Sequence, residues 1–216
     1  MDKGAVSPCV LYDQGVFKMW FVGAMNPMRY QNGIGYATSS DGKNWDIDQQ
    51  PVVPLGQYFA ATWHPAVLKK DGLFYLFIGA SQSSQDYPRD IVLMTSLDGR
   101  NWTFRGKVLS SRYDVSWQRT GIAPSEVIFD DNRFKMFYTA FHDESFCIGY
   151  AESLEGINWL MASDRPTLNA SDAYPWRVVS VGFPAVLRDG GKLKMWFSGL
   201  CDKPQRYQIG YAEQTE

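Results

Sequence analysis

The dipeptide Asn-Trp occurs three times, at Asn44-Trp45, Asn101-Trp102 and Asn158-Trp159, at an interval of 57 residues each time. A chain that returns to the same words at a fixed spacing of this size is built from one supersecondary unit used repeatedly. Each dipeptide is preceded by a turn, Asp41-Gly-Lys43, Asp98-Gly-Arg100 or Glu155-Gly-Ile157. Before the turn stands a short apolar run: Ile34–Ala37, Ile91–Met94, Ile148–Ala151 and, in a fourth copy, Ile209–Ala212. Further upstream come Lys18–Phe21, Tyr75–Phe77, Lys135–Tyr138 and Lys194–Phe197, and each copy opens on a proline-led run, at Pro8, Pro65, Pro124 and Pro184.

The repeating unit therefore contains four short strands, A to D, and no helical periodicity. Asp71-Gly72 and Asp189-Gly-Gly191 between A and B are hairpin chemistry, as are the Asp-Gly and Glu-Gly pairs between C and D. Strand B is continuously apolar, which predicts burial on both faces. A four-stranded antiparallel unit covered on both faces by its neighbours is a propeller blade. The expected fold is all-β, a β-propeller in one domain over residues 1–216, with repeats at about 7–50, 64–107, 124–163 and 183–216. The fourth copy stops after strand C. The N-terminal arm, a further blade or a second subunit is then expected to cover the open edge.

Because strands alternate in direction, the uniform A–B and C–D turns share one end of every blade. The other end collects the strand A starts and the long, dissimilar B–C and D–A loops, where binding residues are expected, around a central funnel. The candidates there are Trp63 and His64; Trp117 and Arg119; Trp176 and Arg177; Arg29 and Tyr30; Asp86 and Arg89; His142 and Asp143; and Arg206. Aromatic rings stack on the apolar faces of sugars, while carboxylates and guanidinium groups bind hydroxyl pairs. One carboxylate, Glu126, stands in an otherwise apolar A strand where the other three copies have no acid. It is the expected general acid, its pKa raised by apolar surroundings, with Asp86, Asp143 or His64 activating water. The bland alternative is a structural carboxylate. Trp45, Trp102 and Trp159 recur with the scaffold and are expected to pack blades.

With 21 Lys and Arg against 23 Asp and Glu, the chain has no basic footprint, and nucleic acid is an unexpected partner. No apolar stretch approaches the ~20 residues that span a bilayer, and no leader-like segment opens the sequence. Cys9, Cys147 and Cys201 lack metal-ligand spacing and are expected as reduced thiols of a cytoplasmic protein; no metal or cofactor is expected.

Taken together, Pro-x-Val-Leu, Asp-Gly, Met-Trp-Phe and Ile-Gly-Tyr-Ala-x-Ser-x-Asp-Gly-x-Asn-Trp resemble the five-bladed propeller glycoside hydrolases and phosphorylases. That group includes the arabinanases and β-xylosidases, the invertases and levansucrases, and the mannoside phosphorylases. The resemblance implies a saccharide ligand and carboxylates at the inner ends of successive A strands. The matching places here are Ser7-Pro8, His64-Pro65, Ser125-Glu126 and Phe183-Pro184, of which the third alone carries an acid. Glycoside cleavage by hydrolysis follows from Glu126 and a second group. Phosphorolysis with Arg119, Arg177 or His64 on the phosphate is a variant. A non-catalytic glycan- or protein-binding propeller, or other small-molecule chemistry on the same scaffold, is the alternative.

Overall fold

The computed structural model describes residues 4–26, 29–56, 58–83, 86–143, 145–172, 178–201 and 206–215, with the backbone alone for 24–26 and 29–32. Among the described residues it is all-β apart from one short 3-10 turn, and it divides into two compact units, Met1–Val108 and Leu109–Glu216.

The first unit holds two antiparallel sheets. One has the order β1 (Gly4–Asp13), β2 (Val16–Asn26), β3 (Arg29–Ser39) and β4 (Asp46–Ile47); the other runs β5 (Ala61–Lys70), β6 (Leu73–Ser81), β7 (Asp90–Ser96) and β8 (Thr103–Ser110). The second unit repeats the plan with β9 (Gly121–Asp130), β10 (Arg133–His142), β11 (Ser145–Ser153) and β12 (Leu160–Met161), followed by β13 (Val178–Asp189), β14 (Lys192–Cys201) and β15 (Arg206–Glu213). Each sheet is a blade, and the fold is the expected β-propeller class. The fourth sheet has three strands among the described residues, as the truncated fourth repeat implies.

The hairpins follow from their turn residues. Gln14-Gly15, Asp71-Gly72, Asp131-Asn132 and Gly190-Gly191 all have positive φ at both positions, the backbone that matches the twist of two paired strands. The turn after strand C is held by its own side chains. Asp41 Oδ1 accepts from the backbone N–H groups of Lys43 and Asn44 (both 2.8 Å), while Ser39 Oγ accepts from that of Gly42 (2.9 Å). Ser96, Asp98 and Asn101 repeat the arrangement, and so do Ser153, Glu155 and Asn158. These donors hold the carboxyls of Asp41 and Asp98 well below the usual carboxylate range.

The glycine of Ile-Gly-Tyr-Ala has a packing cause. Gly35 pairs across the sheet with Phe21, and Gly149 with Tyr138. A Cβ on either would lie 2.4 Å from the Phe21 ring or 2.2 Å from Tyr138 Cζ, so the ring requires a bare backbone beneath it. In the second blade the ring is replaced by Ile78, and its partner is Val92.

Within the first unit, Trp20 joins the blades. Its ring is fully buried with Tyr36, Ile34 and Val67, and its indole N–H donates to the carbonyl of Gly99 in the next blade's turn (2.8 Å). Burying a side chain of this size contributes a few kcal/mol. Asp13 closes the edge by pairing with Lys18 of its own blade (2.7 Å) and Lys69 of the next (2.8 Å). In the second unit Asp130 does the same with Lys135 (2.5 Å) and Arg188. The expectation of two-sided burial holds for strands β6 and β10. It fails for β14, where Trp196 is exposed.

Candidate functional site

Every A strand carries a one-residue bulge at its inner end. Pairing jumps between Val6 and Cys9, between Trp63 and Ala66, and between Gly182 and Ala185. The residue preceding proline in each, Ser7, His64 and Phe183, has φ of 53°, 42° and 55°. Left-handed backbone at histidine and phenylalanine is strained and persists only where surrounding structure imposes it. In β9 proline itself, Pro124, occupies this level and cannot adopt positive φ, so the extra residue becomes Ser125.

That register corrects the matching of blades made from sequence. Glu126 pairs with Phe137 as Ala66 pairs with Phe77, Ala185 with Trp196 and Cys9 with Trp20. Glu126 thus stands two residues beyond the level of His64. Cys9 shows what this level does in the first unit, where its sulfur accepts from the backbone N–H of Val67 on the next blade (3.2 Å). Glu126 does the same: its partly buried carboxyl accepts from the N–H of Val186 on the next blade and from that of Val127. Loss of hydration outweighs these two donors and pushes its pKa up to about 7.

His64 is partly buried beside Trp63, whose ring also lies 5.5 Å from that of Tyr87. Burial lowers the imidazole to about 4, so it is neutral at neutral pH and offers no positive charge to a phosphate. Asp86 is exposed nearby in sequence, and Arg89 is half-buried.

In the second unit the loops form a definite cleft of about 310 Å³. It is lined by Trp117, His142, Ser145, Phe146, Asn169 and neighbouring small residues. The 3-10 turn Ser116–Gln118 presents Trp117, whose indole N–H donates to the Asp164 carbonyl (2.8 Å) and whose ring stacks on Tyr138 (6.1 Å between centroids, 16° between planes). The Tyr138 hydroxyl is buried and has no hydrogen-bond partner among the described residues. His142 is half-buried at the end of β10, and its carbonyl accepts from Ser145 Oγ (2.9 Å). Next to it Arg119 pairs with Asp143 (2.8 Å), and the Asp143 N–H donates to Thr120 Oγ1 (3.0 Å). Asn169 Oδ1 caps its own loop by accepting from the N–H and hydroxyl of Ser171.

The structure thus brings Trp117 and His142 to one cleft, with Arg119 and Asp143 joined beside it. Glu126 is not part of it. It lies opposite Phe137, five residues before His142 and about 16 Å along the strand. Ser145, Phe146 and Asn169 escaped the sequence reading, although Asn169-Ala-Ser171 carries an Asx-turn signal. Arg206 is exposed on β15. The side chains of Arg29 and Tyr30, and residues Trp176 and Arg177, lie outside the described residues. No group of three metal-ligating side chains occurs among the described residues, and Cys9, Cys147 and Cys201 form no disulfide there.

No protein-family model matches the sequence, and no curated protein is similar to it. Solved structures are similar in fold. The β-1,2-mannobiose phosphorylase of Listeria innocua superposes over 98% of this chain with a TM-score of 0.76 at 15% identity. The fold is that of glycoside hydrolases and phosphorylases. An arabinanase of Bacillus subtilis covers 99% of this chain and 75% of its own (TM-score 0.69, 19% identity). A β-fructofuranosidase of Bombyx mori covers 97% and 46% (TM-score 0.72, 15% identity). The chain spans 58% of the length of the mannobiose phosphorylase. The resemblance carried by the repeat is therefore upheld at the level of fold.

Proposed function

We propose that this protein acts on carbohydrates and that a saccharide occupies the Trp117–His142 cleft. The observation that carries this reading is the lining itself. A fixed aromatic ring, an imidazole, an amide and hydroxyls converge on about 310 Å³, the mixture that recognises a sugar's apolar face and its hydroxyl rim together. Of its structural neighbours, the mannobiose phosphorylase is in complex with β-1,2-mannobiose and the β-fructofuranosidase with sucrose. Titration of the protein with a panel of oligosaccharides, read by tryptophan fluorescence and calorimetry, tests it. Binding that weakens at least tenfold in Trp117→Ala supports the cleft; binding untouched by that change refutes it.

The catalytic half of the proposal assigns Glu126 as proton donor to a glycosidic oxygen of an oligosaccharide long enough to reach it from the cleft, about 16 Å along the strand. A carboxyl with a pKa of about 7 is protonated in part at neutral pH, as a general acid must be. Turnover of glycosides, assayed with and without phosphate, is expected to vanish in Glu126→Gln with the fold intact. A binding-only reading is favoured by one specific observation: Glu126 occupies the level of Cys9 and is tied to Val186 as Cys9 is to Val67. Saccharide binding with no turnover across the panel selects that reading.

A further inference from the structure

The first blade shows what the face turned to the next blade needs. Leu11, Trp20, Ile34 and Tyr36 line the side turned to the second blade, with Trp20 and Ile34 fully buried. Three residues of the second blade cover them. Val67 lies on the core and Lys69 meets Asp13 (2.8 Å), and the buried Gly99 offers its carbonyl to Trp20.

The fourth blade carries the same face. Leu187, Trp196, Ile209 and Tyr211 stand at the same registers, Trp196 pairing with Ala185 and Tyr211 as Trp20 pairs with Cys9 and Tyr36. The two Trp–Tyr pairs have one geometry, 5.4 Å between centroids and 56° between planes. Yet Trp196 is 38% exposed and Ile209 70%, where Trp20 and Ile34 are at 0%. Asp189, at the level of Asp13, holds Lys194 of its own blade (2.5 Å).

The covering strand also exists uncovered. Pro8, Val10 and Tyr12 of β1 occupy the levels of Pro65, Val67 and Lys69, and Gly42 that of Gly99. All four are exposed, Val10 at 44% where Val67 is at 2%. We propose that the outer face of the fourth sheet binds the first sheet of a second copy of this chain. Val10 of that copy lies on Trp196 and Ile209. Its Gly42 carbonyl accepts from the Trp196 indole N–H, and the Tyr12 hydroxyl donates to Asp189. The contact joins two different patches, so it is head-to-tail. Contiguous exposed apolar patches of this kind mark protein–protein contact sites.

Light scattering on the protein over a concentration series tests this, together with Val10→Asp and Ile209→Asp, both at exposed positions. The mass of the unmodified chain is expected at twice the monomer's 24.5 kDa or above. Each variant alone is expected at 24.5 kDa. An equimolar mixture of the two is expected to form a one-to-one heterodimer, because one intact patch of each kind remains. A monomeric unmodified chain at about 100 μM, or a mixture in which the variants ignore each other, overturns the proposal. A dimer that survives Val10→Asp also overturns it. Recovery of association in the mixture shows that the variants are folded, which separates a lost patch from a lost fold.

Discussion

Replacing Glu126 with glutamine is expected to change how stability depends on pH. The folded chain holds this carboxyl at about 7 against an ordinary 4.5, because burial costs the ionised form more than Val186 and Val127 return. At about 1.4 kcal/mol per pKa unit, that difference corresponds to roughly 3 kcal/mol. The sign follows from linkage. Between pH 4.5 and 7 the unfolded chain has lost the proton while the folded chain retains it, so stability falls as pH rises through this window. Below it the contribution is fully present, and above it the contribution is gone. Glutamine imitates the protonated carboxyl at every pH. Urea unfolding of both proteins at intervals from about pH 4 to pH 8 isolates the effect, since every other group cancels in the difference. The advantage of Glu126→Gln over the parent should grow by roughly 3 kcal/mol across that range. A difference that stays flat within about 0.5 kcal/mol refutes the desolvation argument, and with it the case for Glu126 as a proton donor near neutral pH.

Asp130 should show the opposite sign. Arg188 and Lys135 lower it to about 2, so roughly 2 kcal/mol of stability is lost as pH falls from about 4 to about 2, and acid titration of unfolding in Asp130→Asn should lack that loss. Asp130→Ala leaves the nearly buried ammonium of Lys135 with Asp131 alone (2.9 Å) and should cost less, in urea at neutral pH, than the ~3 kcal/mol of a buried charge left wholly unpaired. Gly149→Ala drives a methyl into Tyr138 and should destabilise by about 1–3 kcal/mol. The pair Tyr138→Ile with Gly149→Val copies Ile78 and Val92 and should cost clearly less than the two single changes summed; strict additivity refutes the ring-over-glycine account. His64→Asn keeps a residue that tolerates positive φ and removes the acid-side loss of stability expected as pH falls from 6.5 towards 4.

Much of the fold was legible because it is local. Asp71-Gly72 and Ser39-x-Asp41 specify their turns within a few residues, and the three Asn-Trp pairs fix the period. The link between Phe21 and Gly35 was present in the sequence as well, since the blade without the ring is also the blade without the glycine. The site was less legible. In β9 the proline stands one residue earlier relative to the bulge, so Glu126 falls at the level of Ala66, two residues beyond that of His64, and a bulge leaves no sign in residue types when proline replaces the left-handed residue. The donor that meets Glu126 is Val186, a residue of another sheet with an ordinary apolar side chain, acting through its backbone. Trp117 and His142 were named for their chemistry, but the cleft between them depends on Phe146 and Asn169, whose side chains alone suggest core and turn.

The kink before each strand-opening proline has a consequence for how such a chain can change. Ser7, His64 and Phe183 are skipped by the ladder on either side, so no hydrogen bond between strands depends on which side chain stands there. A hydroxyl, an imidazole and a phenyl ring already share that station in one molecule. Exchanging them disturbs chemistry at the blade's inner end while the sheet behind remains indifferent, which makes these three positions the places where a new activity can be tried without rebuilding the protein.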